Sequence, residues 1–219
     1  MPYAVKAMPR PRSLTQPQLA AAALAVIDRD GLAALSMRAV AKELGMSTMA
    51  LYRYVDGREE LEGLVVERVL SGVDTAPPPD GPWRDRVAAL VERIRLAVAA
   101  HPEAIPLTPA HRHRSPALLR WSETVLGVLA DAGFGGDERI IALRSVTAYI
   151  IGAIQLEHLG PLSGPGTDVI AALPDFPYMA AAGRRAREIS SHEEFRRGLD
   201  LLLDGIAAQQ AGGDGTQTR

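Results

Sequence analysis

No cysteine occurs in the 219 residues. Disulfides, thiolate catalysis and thiolate zinc sites are therefore excluded, and a reducing compartment fits. Aromatic residues are few, at 5% of the chain. Neither sign of charge dominates: 24 Lys and Arg stand against 26 Asp and Glu, for a net charge of −2. The overall charge thus makes no argument for a nucleic-acid partner. Up to Glu60 there are two more basic than acidic residues and beyond it four more acidic ones, which permits a local phosphate-binding patch in the first part. The longest apolar run, Ile140 to Leu156, is interrupted by Arg144 and reads as too short to span a bilayer. Lys6, Arg10 and Arg12 are followed by no apolar segment, so no secretory signal is expected there. G-x-S-x-G, H-E-x-x-H and glycine-rich phosphate loops are missing, which leaves nucleophilic and metal-hydrolytic catalysis without a motif. A soluble cytoplasmic protein that is not an enzyme is the expectation.

What the chain does contain is helical periodicity. Apolar residues make up 47% and charged residues 23%, ordinary for a globular protein, and no strand-like alternation or internal repeat interrupts the pattern. Residues 1–14, with prolines and basic residues and no periodicity, read as a flexible arm able to reach DNA phosphates or the minor groove. Thr15 with Gln18 forms a capping box, and Leu14 with Leu19 a hydrophobic staple, at the head of a first helix. That helix runs through Leu19, Ala23, Val26 and Ile27 to Gly31, where a Schellman turn is expected.

Ser36 caps a second, short helix carrying Val40, Ala41 and Leu44, and Gly45 ends it in the left-handed conformation. Two residues later Ser47 or Thr48 caps a third helix. Leu51 and Val55 point inward there, while Thr48, Met49, Tyr52 and Arg53 remain outside. Two helices joined by a short glycine turn, the second with an exposed polar N-terminal face, form a helix-turn-helix, whose second helix enters the DNA major groove. A fourth helix opens at Asp56 or Gly57, with Glu59 or Glu60 as capping partner, and runs to about Leu70. Arg58 in its first turn opposes the helix dipole, so an external phosphate is the expected partner.

The proline-rich stretch 75–82 marks a boundary. Further helices are expected over 83–100, 116–132, 137–159 and about 192–208, with 101–115 irregular, a loop over 160–177 and a disordered tail after Gln209. The domain plan is thus an arm (1–14), a helix-turn-helix domain (15–61), a connecting helix and linker (62–82), a helical effector and dimer domain (83–209) and a tail (210–219). Trp121, Thr147, Tyr149 and Gln155 are aromatic or polar residues on apolar helices, as in a ligand pocket inside a bundle. Helices 137–159 and 192–208 carry more apolar surface than one subunit uses, which points to a homodimer through a four-helix interface. His101, His111, His113 and the pair Glu157-His158 have ligand chemistry, but the histidines sit in a proline-rich segment without ligand spacing, so neither metal nor cofactor is expected.

The pattern Asp30-Gly31, Leu35 to Arg38, Val40-Ala41, Leu44 to Ser47, Leu51-Tyr52, Tyr54-Val55, Arg58 and Leu61 resembles the DNA-binding domain of the TetR family of bacterial transcriptional regulators. The later run from Pro116 through Ala132-Gly133-Phe134 to Tyr149, Gly152 and Glu157 is more loosely similar to the tetracycline-repressor branch. The resemblance implies base or groove contacts by Arg38, Thr48, Met49, Tyr52 and Arg53, and phosphate contacts by Ser47, Tyr54 and Arg58. It further implies a homodimeric repressor that a small, largely apolar effector releases from a palindromic operator in double-stranded DNA. The family's drug-magnesium site is not matched, since Glu157 is displaced by one position. The alternatives are a constitutive regulator or activator without effector and, from another class, a helical carrier or enzyme.

Overall fold

The computed structural model describes residues 14–160, 162 and 164–213. All regular structure among them is helical. The helices are α1 Gln16–Asp30, α2 Met37–Glu43, α3 Thr48–Leu51, α4 Arg58–Leu70, α5 Trp83–Ala99, α6 Leu107–His111, α7 Pro116–Asp131, α8 Gly136–Leu159, α9 Pro165–Ala171, α10 Pro177–Ala186 and α11 Ser191–Gly213.

Local chemistry sets the head. Thr15 N–H donates to Gln18 Oε1 at 3.0 Å, closing the capping box of α1. Ser36 Oγ accepts from Ala39 N–H, and Ser47 Oγ from Ala50 N–H. Between these capped helices Gly45 has φ +65°, a conformation that costs other residues about 1–2 kcal/mol. Gly31 departs from the expected Schellman turn: at φ 82° and ψ 162° it is extended in the mirror region and leads into a 3-10 turn, Leu32–Ala34. Asp56 N–H donates to Glu60 Oε2 at 2.7 Å, so Glu60 closes the start of α4.

Helix α4 packs along α1 and continues outward to meet α5, α6 and α7. The apolar core runs without a break from Leu19 and Leu51 in the head, through Leu61 and Val66 of α4, to Leu90, Trp121, Val146 and Leu203.

Several expectations are corrected. The segment 101–115 contains α6 between two 3-10 turns. The expected loop 160–177 contains α9, and α10 begins at its end; these two helices pack chiefly on each other. The small buried residues of α10, Ala180, Gly183 and Ala186, give no large apolar stripe to detect. The arm falls outside the described residues except for Leu14, which packs on the core. Residues 210–213, expected in a disordered tail, continue α11, and Gln210 donates to the Ala132 carbonyl at 2.7 Å. Helix α8, with 24 residues, is by length and composition long and apolar enough to cross a membrane, against the shorter run expected. One face of it, Ala142, Val146, Ile150 and Ile154, is buried in the core of the chain.

Candidate DNA-binding and effector sites

The outer face of the helix-turn-helix is built by its caps. Ser47 spends a hydroxyl lone pair on Ala50 N–H, which sets α3 with Met49, Tyr52 and Arg53 outside and Leu51 fully buried. Met49 is 77% and Tyr52 48% exposed. Arg38 on α2 is exposed alongside them, Thr48 is half-buried, and Tyr54 is half-buried against the core. These side chains offer donors, two guanidinium groups and apolar contact, the repertoire of groove reading.

Arg58 is placed differently from the expectation. Its Nε donates to Glu62 Oε1 at 2.8 Å and its Nη1 to the Leu35 carbonyl at 2.9 Å. The cation at the start of α4 therefore has partners within the chain and joins α4 to the residue that precedes the helix-turn-helix. Donors remain for a phosphate, because guanidinium has five N–H groups.

Glu62 extends this connection. Its second oxygen accepts from His111 Nε2 at 3.1 Å, where His111 is buried on α6 against Gly63. Further along α4, Glu67 Oε2 accepts from Ser115 Oγ at 2.5 Å and from Ala117 N–H at 3.1 Å. The segment from α6 to the start of α7 thus grips α4 at two points. Neither glutamate was singled out in the sequence, where each resembles a solvated helix charge; the histidine-arginine run opposite them was the available signal.

Behind α6 lies a narrow apolar slot between α5, α7 and α8. Ile94 and Val98 line it from α5, Trp121 from α7, and Thr147, Ile150, Ile154 and Gln155 from α8, with Thr108 and Arg112 closing one side. Its outline encloses about 490 Å³ including open solvent, but its free interior is about 40 Å³, on the order of one or two waters. Trp121 is buried and donates its indole N–H to the Leu90 carbonyl at 3.0 Å.

Of the four expected pocket residues, Trp121, Thr147 and Gln155 meet in this slot and Tyr149 does not. Thr147 and Tyr149 are two residues apart, about 200° around a helix, so they face opposite ways. Tyr149 instead faces α11, donating to the Phe195 carbonyl at 2.7 Å beside a separate recess with Glu157 and Glu194. Burial, and then the Glu194 charge, push its phenol upward from 10.0. Burial, followed by Glu157, pushes the Glu194 carboxyl upward as well.

The other titratable candidates are dispersed. Glu157 lies 3.6 Å from buried Arg95, whose guanidinium sits 4.9 Å from the Phe195 ring centre, and His101 pairs with Asp28 at 3.0 Å. No group of three or more His, Asp or Glu residues able to hold a metal occurs among the described residues.

An exposed helix-turn-helix joined through a shared helix to a helical bundle with an internal slot has the architecture of an all-α, DNA-binding regulator. Comparison with known proteins places it further. Residues 19–61 match the model of the tetR family of bacterial regulatory proteins, and residues 75–210 the tetracyclin repressor-like C-terminal domain. The chain belongs to the tetR family. An HTH-type transcriptional regulator of Saccharopolyspora erythraea is 32% identical, over 89% of this chain and 85% of that one. The transcriptional repressor DrrR1 of Streptomyces coeruleorubidus is 30% identical, over 90% and 78%. Among solved structures, ActR of Streptomyces coelicolor in complex with (S)-DNPA superposes with TM-score 0.78 at 25% identity, covering 90% of this chain and 98% of that one. BioQ with its natural double-stranded DNA operator superposes with TM-score 0.66 at 26% identity, covering 90% and 99%.

Proposed function

We propose that this protein is a homodimeric, cytoplasmic transcriptional repressor that binds a palindromic operator through α3 and is released by a small-molecule effector held in the slot. The observation that carries this reading is the double role of α6. Its Thr108 lines the slot while its His111 holds Glu62 of α4, and Glu62 holds Arg58, which reaches the Leu35 carbonyl. An effector larger than the free space must spread the walls of the slot, and two of those walls, α6 and the Leu70 end of α4, are attached to the DNA-reading head. The effector then favours one orientation of α4 over another, a population shift whose usual size is about 1–3 kcal/mol.

Dimerisation is supported by the apolar residues α8 and α11 leave outside the subunit, among them Ile140, Ile141, Leu156, Leu159 and Leu201. A two-fold axis through these helices would present two copies of α3 to successive major grooves. The repressor and operator elements rest on kinship with DrrR1 and BioQ, and the effector element on ActR.

Footprinting on DNA flanking the gene tests the whole reading, since protection of two half-sites about one helical turn apart is the expected result. Failure to retard any such fragment at low salt would sink it, because phosphate neutralisation is strongest there.

A further inference from the structure

The run His111-Arg112-His113-Arg114 is split three ways by the fold. His111 turns inward to Glu62, and Arg114 pairs with Glu59 at 3.0 Å. Arg112 faces the slot and also an outer recess that shares Leu118, Trp121 and Thr147 with it and adds His113. Arg112 is exposed, and its guanidinium Nη1 donates to the Pro109 carbonyl of its own turn.

The polar groups deeper in the slot are already committed as donors. Thr108 Oγ1 donates to the Ile105 carbonyl at 2.9 Å, Thr147 Oγ1 to Leu143 at 2.8 Å, and the Trp121 indole N–H to Leu90. Gln155 donates weakly, at 3.5 Å, to Ile105. Among the described residues no Asp or Glu lines either the slot or the outer recess. An incoming molecule therefore meets apolar surface inside and a cation with spare donors at the mouth. A cationic ligand would be repelled there, a neutral oxygen would accept an ordinary hydrogen bond, and an anion would accept a stronger, charge-assisted one.

We infer that Arg112 reads an anionic group on the effector, so that the ligand class is an organic acid with an apolar body. This rests on the slot being the effector site. It deepens that reading, because Arg112 follows His111 in the chain: drawing its guanidinium toward a bound anion moves the residue that holds Glu62.

The test uses the full-length protein with Trp83→Phe, so that Trp121 in the slot is the only indole reporter. Trp121 fluorescence is titrated with 2-naphthoate and with its neutral isostere 2-naphthamide. Because Arg112 is exposed, the expected result is naphthoate binding tighter by about two- to fivefold, the scale of an ion pair with a solvated cation. That preference disappears in Arg112→Gln, with naphthamide binding unchanged, and is partly kept in Arg112→Lys. Equal affinities in the parent, or a preference surviving Arg112→Gln, overturns the assignment of Arg112 and leaves the effector slot standing. If neither compound perturbs Trp121, the slot itself is rejected as an effector site, and this inference with it.

Discussion

His111 Nε2 lies 3.1 Å from Glu62 Oε2, and because a carboxylate only accepts, the imidazole must carry its proton on that nitrogen. The other Glu62 oxygen is taken by Arg58 at 2.8 Å. One carboxylate thus joins the bundle to the head.

Replacing Glu62 by Gln puts an N–H₂ against one of two donors. We expect a loss of about 1–3 kcal/mol in urea unfolding and a weaker operator complex. His111→Ala should cost a similar amount, and the two changes together should be non-additive by at least about 0.5 kcal/mol. Strict additivity would show that the two side chains do not act as one link.

Tyr52, Arg53 and Arg38 are exposed, so alanine at each should leave the melting temperature nearly unchanged. If the proposed reading holds, operator affinity should fall by about tenfold or more at each of the three, on the scale of 1–3 kcal/mol for a lost base contact. Arg58→Ala is the informative contrast. It should lower both stability and affinity, because Arg58 also holds Leu35 and Glu62. Gel retardation alongside thermal melting separates the two kinds of residue.

Gly198 lies inside α11, where alanine would ordinarily gain about 1 kcal/mol of helix propensity. A Cβ there would strike the Tyr149 hydroxyl and ring, which are held by the bond to Phe195 and by a ring-to-ring approach of 5.4 Å. Overpacking should win, so Gly198→Ala is expected to destabilise by about 1–2 kcal/mol. Adding Tyr149→Phe should recover part of that loss in denaturant titrations. A stabilised single variant would show that the ring moves freely.

Glu194 supplies a pH dependence. Burial and Glu157 raise its carboxyl above the ordinary 4.5, so the folded protein keeps this proton to a higher pH than the unfolded chain. Its contribution to stability is present below that ordinary value and is lost as pH rises through the folded one. Glu194→Gln should therefore melt higher than the parent at pH 7 and equal to it near pH 4. The difference should be small, since the residue is exposed along its outer edge.

The sequence by itself determined the head. Thr15, Ser36, Gly45 and Ser47 act through hydrogen bonds and backbone angles within four residues, so spacing alone located α1 to α4 and the exposed face of α3. It also revealed that α8 carries more apolar surface than a single chain uses, and the fold shows which face stays outside, with Ile140, Ile141, Leu156 and Leu159 exposed. Helices α9 and α10 escaped detection because alanine and glycine pack closely without a large apolar stripe. The slot was half legible: Trp121, Thr147 and Gln155 share it, and helical geometry turned Tyr149 away. Only tertiary structure decided what the charged residues do. Glu62, Arg58 and His111 look alike as surface charges on a string of letters, and each has a partner on another element of the fold: Leu35 for Arg58, and for Glu62 and His111 each other, 49 residues apart.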